Sequence, residues 1–496
     1  MKQTFDTVIR NVRVVRPRFT KVELADIGIC GEKIAAIAPD LAADGAEVIE
    51  GHGRLAFPGA VDAHMHTGMY SPLSLDALTE SRAAAQGGVT TSLNYFRTGH
   101  YYLNKTAPYR EFLPEVLALS QGKFHVDYAY HLAPMDPRHI AEIPALISQF
   151  GVTSFKIFMF YGSFGVHGPQ SRPHDFLMIR EDEPYDIAHF EFVMRGVAAA
   201  MKEYPDLRES ISLSLHCEIP EILAAYTRIV QGDRSLSGLR AYSASRPPHA
   251  EGAAIAIASY LAHETDCLNI NLLHLSSHKA VDAALRMEHA FPHINFRREV
   301  TLGHLLLDYD APTGNFAKVN PPIRSRDDVE ALWRAVHEGK IDWVCSDHAC
   351  CKHEIKVDQK TPGDIFLAKS GFGGTEYLLA GLVSEGSRRG LPLHRIAELT
   401  AWNPARRFGV PSKGDLAPGY DADIAIVDPS YSWTIRSADS ESAQGYTPFE
   451  GVELQAAVVE TWLRGRPIFR NGKVIGSPAG RYIDRSAAQL GRQAVT

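Results

Sequence analysis

The hydrophobic pattern changes character twice along the chain. Up to about residue 57, Val and Ile alternate with polar residues in TVIRNVRVV, ADIGICGEKIAAIAP and AEVIEGHGRLAFPG, with Gly and Asp at the reversals. Period-two alternation broken by turn residues predicts short strands. From Phe57 onward, eight short apolar runs recur: AVDAHMH (60–66), VTTSLNYF (89–96), VDYAYHLA (126–133), VTSFKIFMF (152–160), SISLSLHC (210–217), NINLLHLS (269–276), INFRREVT (294–301) and IDWVCSDH (341–348). Most gaps between them, such as LDALTESRAAAQ, HFEFVMRGVAAAMKEY and RDDVEALWRAVHEG, repeat apolar residues at spacings of three and four. That spacing predicts amphipathic helices. Strand and helix alternating eight times is the pattern of an α/β chain closed into a (β/α)8 barrel. A doubly wound open sheet is the competing arrangement. After about residue 412 short strands return, in GDLAPGYDADIAIVDP and AAVVETWLRGRPIFRNGKVIG. The expected organisation is a barrel at 58–411, flanked by one small β domain built from residues 1–57 and 412–496.

Composition narrows the function classes. Fifty-one basic and 58 acidic residues give a net charge of −7. No basic block stands out, which argues against nucleic-acid binding. No apolar run approaches the roughly 20 residues of a membrane span, and the N-terminus MKQTFDTVIRNV lacks the apolar stretch of a signal peptide. The six cysteines are scattered, and the adjacent Cys350 and Cys351 are poor disulfide partners. A reducing, cytoplasmic setting is expected. With 22 histidines in the chain, most must be bystanders.

A few polar residues sit where a barrel enzyme keeps its chemistry. The connections 97–109, 161–188 and 349–375 are long and leave the C-terminal ends of their strands, where barrel sites lie. His64 and His66 are two apart at the end of the first run, so they share one face. Lys156 stands among Phe155, Ile157, Phe158, Met159 and Phe160, and lysine is seldom buried unpaired. Desolvation would lower its pKa, and a neutral amine can add carbon dioxide to become an anionic carbamate able to bridge two metals. His216, His274 and Asp347 end the fifth, sixth and eighth runs. Either histidine alone reads more readily as a hydrogen-bonded core residue, whereas a carboxylate after such an apolar run needs a partner, because burying it unpaired is costly. Together, five stretches of chain deliver six nitrogen and oxygen ligands to one barrel mouth. That exceeds what a single zinc takes, so two divalent metals are expected.

At this point the chain resembles the amidohydrolase superfamily, and within it the cyclic amidohydrolases: dihydropyrimidinase and hydantoinase, allantoinase, and dihydroorotase. The resemblance runs through FPGAVDAHMH (57–66), GVTSFKIFMFY (151–161), SLHCE (214–218), SRPPHAEGAAI (245–255), LLHLSS (272–277), KVNPPIR (318–324), SDHA (346–349), SGFGGTE (370–376), NPARRFGV (403–410) and KGDLAPGYDADIAIVDP (413–429). It implies a TIM barrel with a β-sandwich built from both chain ends. It also implies His64, His66 and Asp347 on one metal, His216 and His274 on the other, and Lys156, modified to N6-carboxylysine by carbon dioxide, bridging both. The metals would be zinc by default, with manganese or cobalt also fitting. A hydroxide bridging them would be the nucleophile on a cyclic amide. Asp347 would take its proton and pass it to the leaving nitrogen, and Tyr161 would hydrogen-bond the developing oxyanion. A homo-oligomer, a tetramer or dimer, is also implied. GYTPFEGVEL (445–454) and the tail after Gly480 are candidate interface segments. His278 and His348 are candidate partners of the ligands.

The ring itself is less sharply specified. Tyr161 resembles the hydantoinase and dihydropyrimidinase branch, whereas SGFGGTE resembles allantoinase and dihydroorotase. Ser370 stands where hydantoinases usually carry asparagine, and Asn320 where a serine is common; both are expected to meet the ring mainly through backbone groups. His66–Thr67–Gly68 lacks the arginine that dihydroorotases place two residues after the second histidine. Arg97, just beyond the second run, reads first as a surface or ion-paired arginine, and alternatively as a positive charge supplied to the ring from another direction. A less common cyclic imide or lactam stays open as a substrate. Two further readings are a scaffold protein of the same fold, which the intact ligand set argues against, and a mononuclear deaminase-type enzyme, which has no need of Lys156. The segment 162–186 matches none of these branches and is expected to shape the pocket.

Overall fold

The structure, a computed structural model, describes residues 4–162, 177–180, 182–357 and 359–486. Most of the 162–186 segment thus lies outside the described residues. Five strands open the chain: β1 (Thr7–Val14), β2 (Glu23–Cys30), β3 (Lys33–Ala38), β4 (Glu47–Glu50) and β5 (Leu55–Pro58). The barrel strands follow: β6 (Ala60–His66), β7 (Val89–Phe96), β8 (Asp127–Leu132), β9 (Ser154–Phe158), β10 (Ser212–His216), β11 (Asn269–Leu272), β12 (Asn295–Thr301), β13 (Trp343–Cys345) and β14 (His348–Ala349). Each pairs in parallel with its neighbours, in the order β13-β12-β11-β10-β9-β8-β7-β6-β14. β13 and β14 are two pieces of the eighth apolar run, one paired with β12 and the other with β6. The sheet therefore closes on itself as a (β/α)8 barrel. Helices such as Leu73–Gln86, Ile187–Glu203 and Arg326–His337 occupy the connections.

The observed strands differ from the apolar runs at two informative places. The sixth run extends to Ser276, but β11 stops at Leu272 and His274 adopts a φ of 35°. The eighth run is interrupted at Ser346–Asp347, with Asp347 at a φ of 53°. Non-glycine residues in this left-handed region are uncommon, and both belong to the six expected ligands. The carboxylate of Asp62 stabilises the second interruption. It accepts from the Ser346 amide at 3.1 Å, the Ser346 hydroxyl at 2.5 Å and the Thr375 hydroxyl at 2.8 Å.

Both chain ends meet in one sheet, because β5 pairs antiparallel with β15 (Ile424–Asp428). After the short ribbon of β16 (Trp433–Thr434) and β17 (Glu453–Leu454), the sheet continues through β18 (Ala457–Leu463), β19 (Arg466–Arg470) and β20 (Lys473–Val474). Ile9, Val12, Ile27, Ile29, Ile424 and Trp462 form its apolar core. The two candidate interface segments are partly used within the chain. Phe449 is buried against Phe372 and Tyr377, and the Tyr128 amide bonds the Arg481 carbonyl. All six cysteines are free. No helix among the described residues is long and apolar enough to cross a membrane.

Candidate active site

The C-terminal ends of the barrel strands bring the expected residues together. His64 and His66 end β6, with their Nε2 atoms 3.2 Å apart. Asp347 Oδ1 lies 3.0 Å from His64 Nε2 and 3.3 Å from His66 Nε2. Lys156 Nζ, from the middle of β9, reaches His64 Nε2 at 3.0 Å. His216 ends β10, and its ring packs edge-on to His274, 4.3 Å between centroids. His274 also lies 5.4 Å from the His64 ring. A cavity of about 50 Å³ is lined by His66, Lys156, His216, His274 and Asp347, together with Tyr161, Asn320 and Ser370.

Burial dominates the electrostatics here. It pushes the His64, His66 and His274 imidazoles well below their usual range, so these rings are neutral and keep a lone pair. Burial also lowers the Lys156 ammonium to about 8, against the opposing pull of Asp347 and Glu299. Its Nζ faces the Tyr95 and Phe158 rings at 4.0 and 4.3 Å. Burial thus moves this side chain toward the neutral amine, the form that adds carbon dioxide, while the two rings and the two carboxylates pull the other way.

Three residues that the sequence reading passed over hold these rings in place. Glu299 on β12 accepts from His64 Nδ1 at 2.8 Å, from the His274 amide at 3.1 Å and from Trp343 Nε1 at 2.8 Å. With its proton on Nδ1, His64 turns the Nε2 lone pair toward Lys156 and Asp347. Glu218 does the same for His216, taking Nε2–H at 2.7 Å while Arg246 clamps its two oxygens at 2.5 and 3.0 Å. Tyr102 places its hydroxyl 2.8 Å from His66 Nδ1. Carboxylates behind imidazoles are a recurring device for fixing a metal-ligand tautomer. A signal for Glu218 was present, two residues after a strand-end histidine. Glu299 sits among the arginines of INFRREVT, where no pattern sets it apart from an ordinary polar position.

The remaining expected residues separate. Asn320 and Ser370 both line the cavity, but their side chains face each other and Tyr242: the Ser370 hydroxyl donates to Asn320 Oδ1 at 3.3 Å, and Tyr242 donates to the same oxygen. The Ser370 carbonyl accepts from the Tyr70 hydroxyl at 2.6 Å. His348 is buried and turned toward Glu80, 2.8 Å away, with its Nδ1 accepting from the Gly374 and Thr375 amides. It thus supports the strand-eight turn rather than a ligand ring. His278 is exposed at a helix start.

These residues fit a divalent-cation centre. His64, His66 and Asp347 offer ligand atoms all within 4.8 Å of one another. The His274 Nδ1 atom is buried with no hydrogen-bond partner among the described residues, which is costly for a polar atom. Neutral imidazoles, a carboxylate and an amine converging on one point suit zinc or a similar metal. A second buried group, Asp76, Glu80 and Cys350, also clusters. There, however, Thr79, His348, Ser442 and the Ala443 amide already occupy the Glu80 oxygens.

Known proteins resemble this chain in fold and sequence. The amidohydrolase family model matches residues 254–468. An allantoinase of Rubrobacter xylanophilus is 33% identical over 488 residues, 97% of each chain. An allantoinase of Deinococcus radiodurans is 28% identical over 97% of this chain and 99% of its own. Among solved structures, a dihydropyrimidinase from Brevibacillus agri matches with a TM-score of 0.82 at 27% identity, over 97% of this chain and 98% of that one. An L-hydantoinase (dihydropyrimidinase) from Arthrobacter aurescens matches with a TM-score of 0.81 at 26% identity, over 96% and 99%. The chain belongs to the amidohydrolase superfamily, among its cyclic amidohydrolases. Its activity is hydrolysis of a carbon–nitrogen bond in a cyclic amide.

Proposed function

We propose that the chain opens a hydantoin-type ring, a five-membered cyclic ureide, using two divalent cations, zinc by default, at the barrel mouth. The observation that carries this is the convergence of His66 Nε2, Lys156 Nζ and Asp347 Oδ1 on His64 Nε2, each within 3.2 Å. His64, His66 and Asp347 would hold one cation and His216 and His274 the other. Lys156, carboxylated by carbon dioxide, would reach both. Allantoin is itself a hydantoin with a ureido substituent. A hydantoin ring therefore reconciles relatives named allantoinase with structures named hydantoinase.

Bound there, the cations would supply Lewis acidity toward the scissile carbonyl and an acidified water. The protein's own groups account for the proton and the charge. Asp347 takes the proton of the attacking water as the C–O bond forms. It returns that proton to the ring nitrogen as the C–N bond breaks. Tyr161 lines the same cavity and would donate a hydrogen bond, keeping its proton, to the oxygen that becomes anionic. Asn320 and Ser370 line the same cavity, and their backbone groups would meet the ring edge. A cytoplasmic homo-oligomer, tetramer or dimer, completes the proposal, supported by the free thiols and by the family resemblance.

The test is ring opening of hydantoin, allantoin and dihydrouracil by zinc-loaded protein, with a chelator-stripped control. Metal-dependent opening of hydantoin or allantoin, faster than of dihydrouracil, is expected. Protein that carries two metals and opens none of the three would overturn the proposal.

A further inference from the structure

Arg97 directly follows β7, and its side chain is fully buried at the barrel mouth. Its Nη1–H donates to the Thr98 carbonyl at 2.9 Å, and its Nε–H donates to the Tyr161 hydroxyl at 3.2 Å. The guanidinium carbon lies 5.1 Å from the centre of the Tyr161 ring and 5.4 Å from that of Tyr102. Tyr102 in turn touches His66 Nδ1. One fixed cation therefore sits between the tyrosine at the reaction cavity and the tyrosine that steadies a ligand histidine.

The chemistry of this contact has a direction. A guanidinium has donors and no acceptor, whereas a phenol has one proton to give and an oxygen that accepts. Because Arg97 donates, the Tyr161 oxygen is the acceptor in this contact, and the tyrosine's own proton must point elsewhere. A donor aimed at a phenol oxygen also polarises the phenol, which strengthens the bond its proton makes. The pull of Arg97 on the hydroxyl runs in the same sense: burial raises the Tyr161 pKa and Arg97 lowers it. A positive charge held in a dry site is worth most when negative charge develops nearby.

We propose that Arg97 is a positioning residue for ring opening: it orients and polarises the Tyr161 hydroxyl so that its proton is donated into the reaction cavity. This rests on the oxyanion role given to Tyr161 above. Arg97 acts through that tyrosine, so it governs turnover more than substrate affinity.

The experiment is a double-mutant cycle on hydantoin and allantoin with Arg97→Gln, Tyr161→Phe and the pair, each checked for metal content and thermal melting. Arg97→Gln is expected to lower kcat by about 10–100-fold with KM changed by less than about twofold. In the Tyr161→Phe background the same change should cost less than about twofold, because coupled residues are not additive. Arg97→Lys keeps the charge but loses the Nε–H fork and should fall between wild type and Arg97→Gln. It carries the test if Arg97→Gln does not fold. Additive losses in the double variant, or a raised KM with kcat retained, would overturn the proposal. If Tyr161→Phe itself leaves kcat unchanged, the oxyanion reading falls and this inference falls with it. If Tyr161→Phe is impaired but uncoupled from Arg97, only this inference falls.

Discussion

Two buried lysines of this chain live in opposite surroundings. Lys413 joins the barrel base to the terminal sheet and contacts three carboxylates: Asp423 at 2.6 Å, Asp127 at 2.8 Å and Asp421 at 3.3 Å. They outweigh desolvation and hold its pKa above the ordinary lysine value. Lys156, equally buried, faces an imidazole nitrogen and two aromatic rings, and its pKa falls to about 8. The first lysine is a neutralised structural cation. The second is a lysine whose burial is not offset by a comparable cage of carboxylates, so its proton is held less tightly. Burial alone does not separate structure from chemistry; the partners do.

Exchanging each lysine for a residue of similar length breaks this comparison most sharply. Lys156→Met is expected to lose bound metal and ring-opening activity to background, while the melting temperature of metal-free protein stays level or rises. Asp347→Asn should lower kcat by about 10²–10⁴-fold, read under saturating substrate. Lys413→Met should do the reverse of Lys156→Met. It leaves the buried Asp423 carboxylate without a side-chain counter-charge, while Asp127 keeps Arg464 and Asp421 keeps Lys33, so urea unfolding should show a loss of about 3–5 kcal/mol, with metal content intact in the folded fraction. Glu299→Gln should weaken metal affinity by about 10–100-fold, measured by chelator competition, because His64 loses the carboxylate that sets its tautomer.

The smallest expected effect concerns acid stability. Burial alone would raise the Glu218 carboxyl, but Arg246 and His216 outweigh it and hold it at about 2, against an ordinary 4.5. A lowered carboxylate pKa stabilises the fold fully above the unfolded value and ceases to do so as pH falls through the folded one. Between pH 4.5 and about 2 the folded state should therefore weaken. Unfolding free energies at pH 5 and pH 3 should differ more in wild type than in Glu218→Gln.

Much of this architecture is visible in the chain itself because barrel strands are short, apolar and regularly spaced. The runs at 60–66 and 89–96 coincide with β6 and β7. His64 and His66 share a face by strand parity alone. The break beside Asp347 was hidden, since WVCSDH reads as one continuous run. What interrupts it is the distant Asp62 carboxylate, a contact across 284 positions. Tyr102 was unreadable for a similar reason: it lies in a connection with φ values of 63° at Tyr101 and 37° at Tyr102, and no periodicity describes such a turn. Arg97 was weighed as a charge for substrate or for the surface. Its contact with Tyr161 became visible only when β7 and β9 were placed around one mouth.

In the proposed two-metal site Lys156 is the residue on which both cations depend. The most direct measurement counts metal per chain in wild type and Lys156→Ala after zinc loading, with a carbon-13 bicarbonate spectrum of each. Two zinc ions and one protein carbamate signal are expected in wild type, and neither in the variant. A Lys156→Ala protein that retains both metals and normal ring-opening turnover would contradict that role.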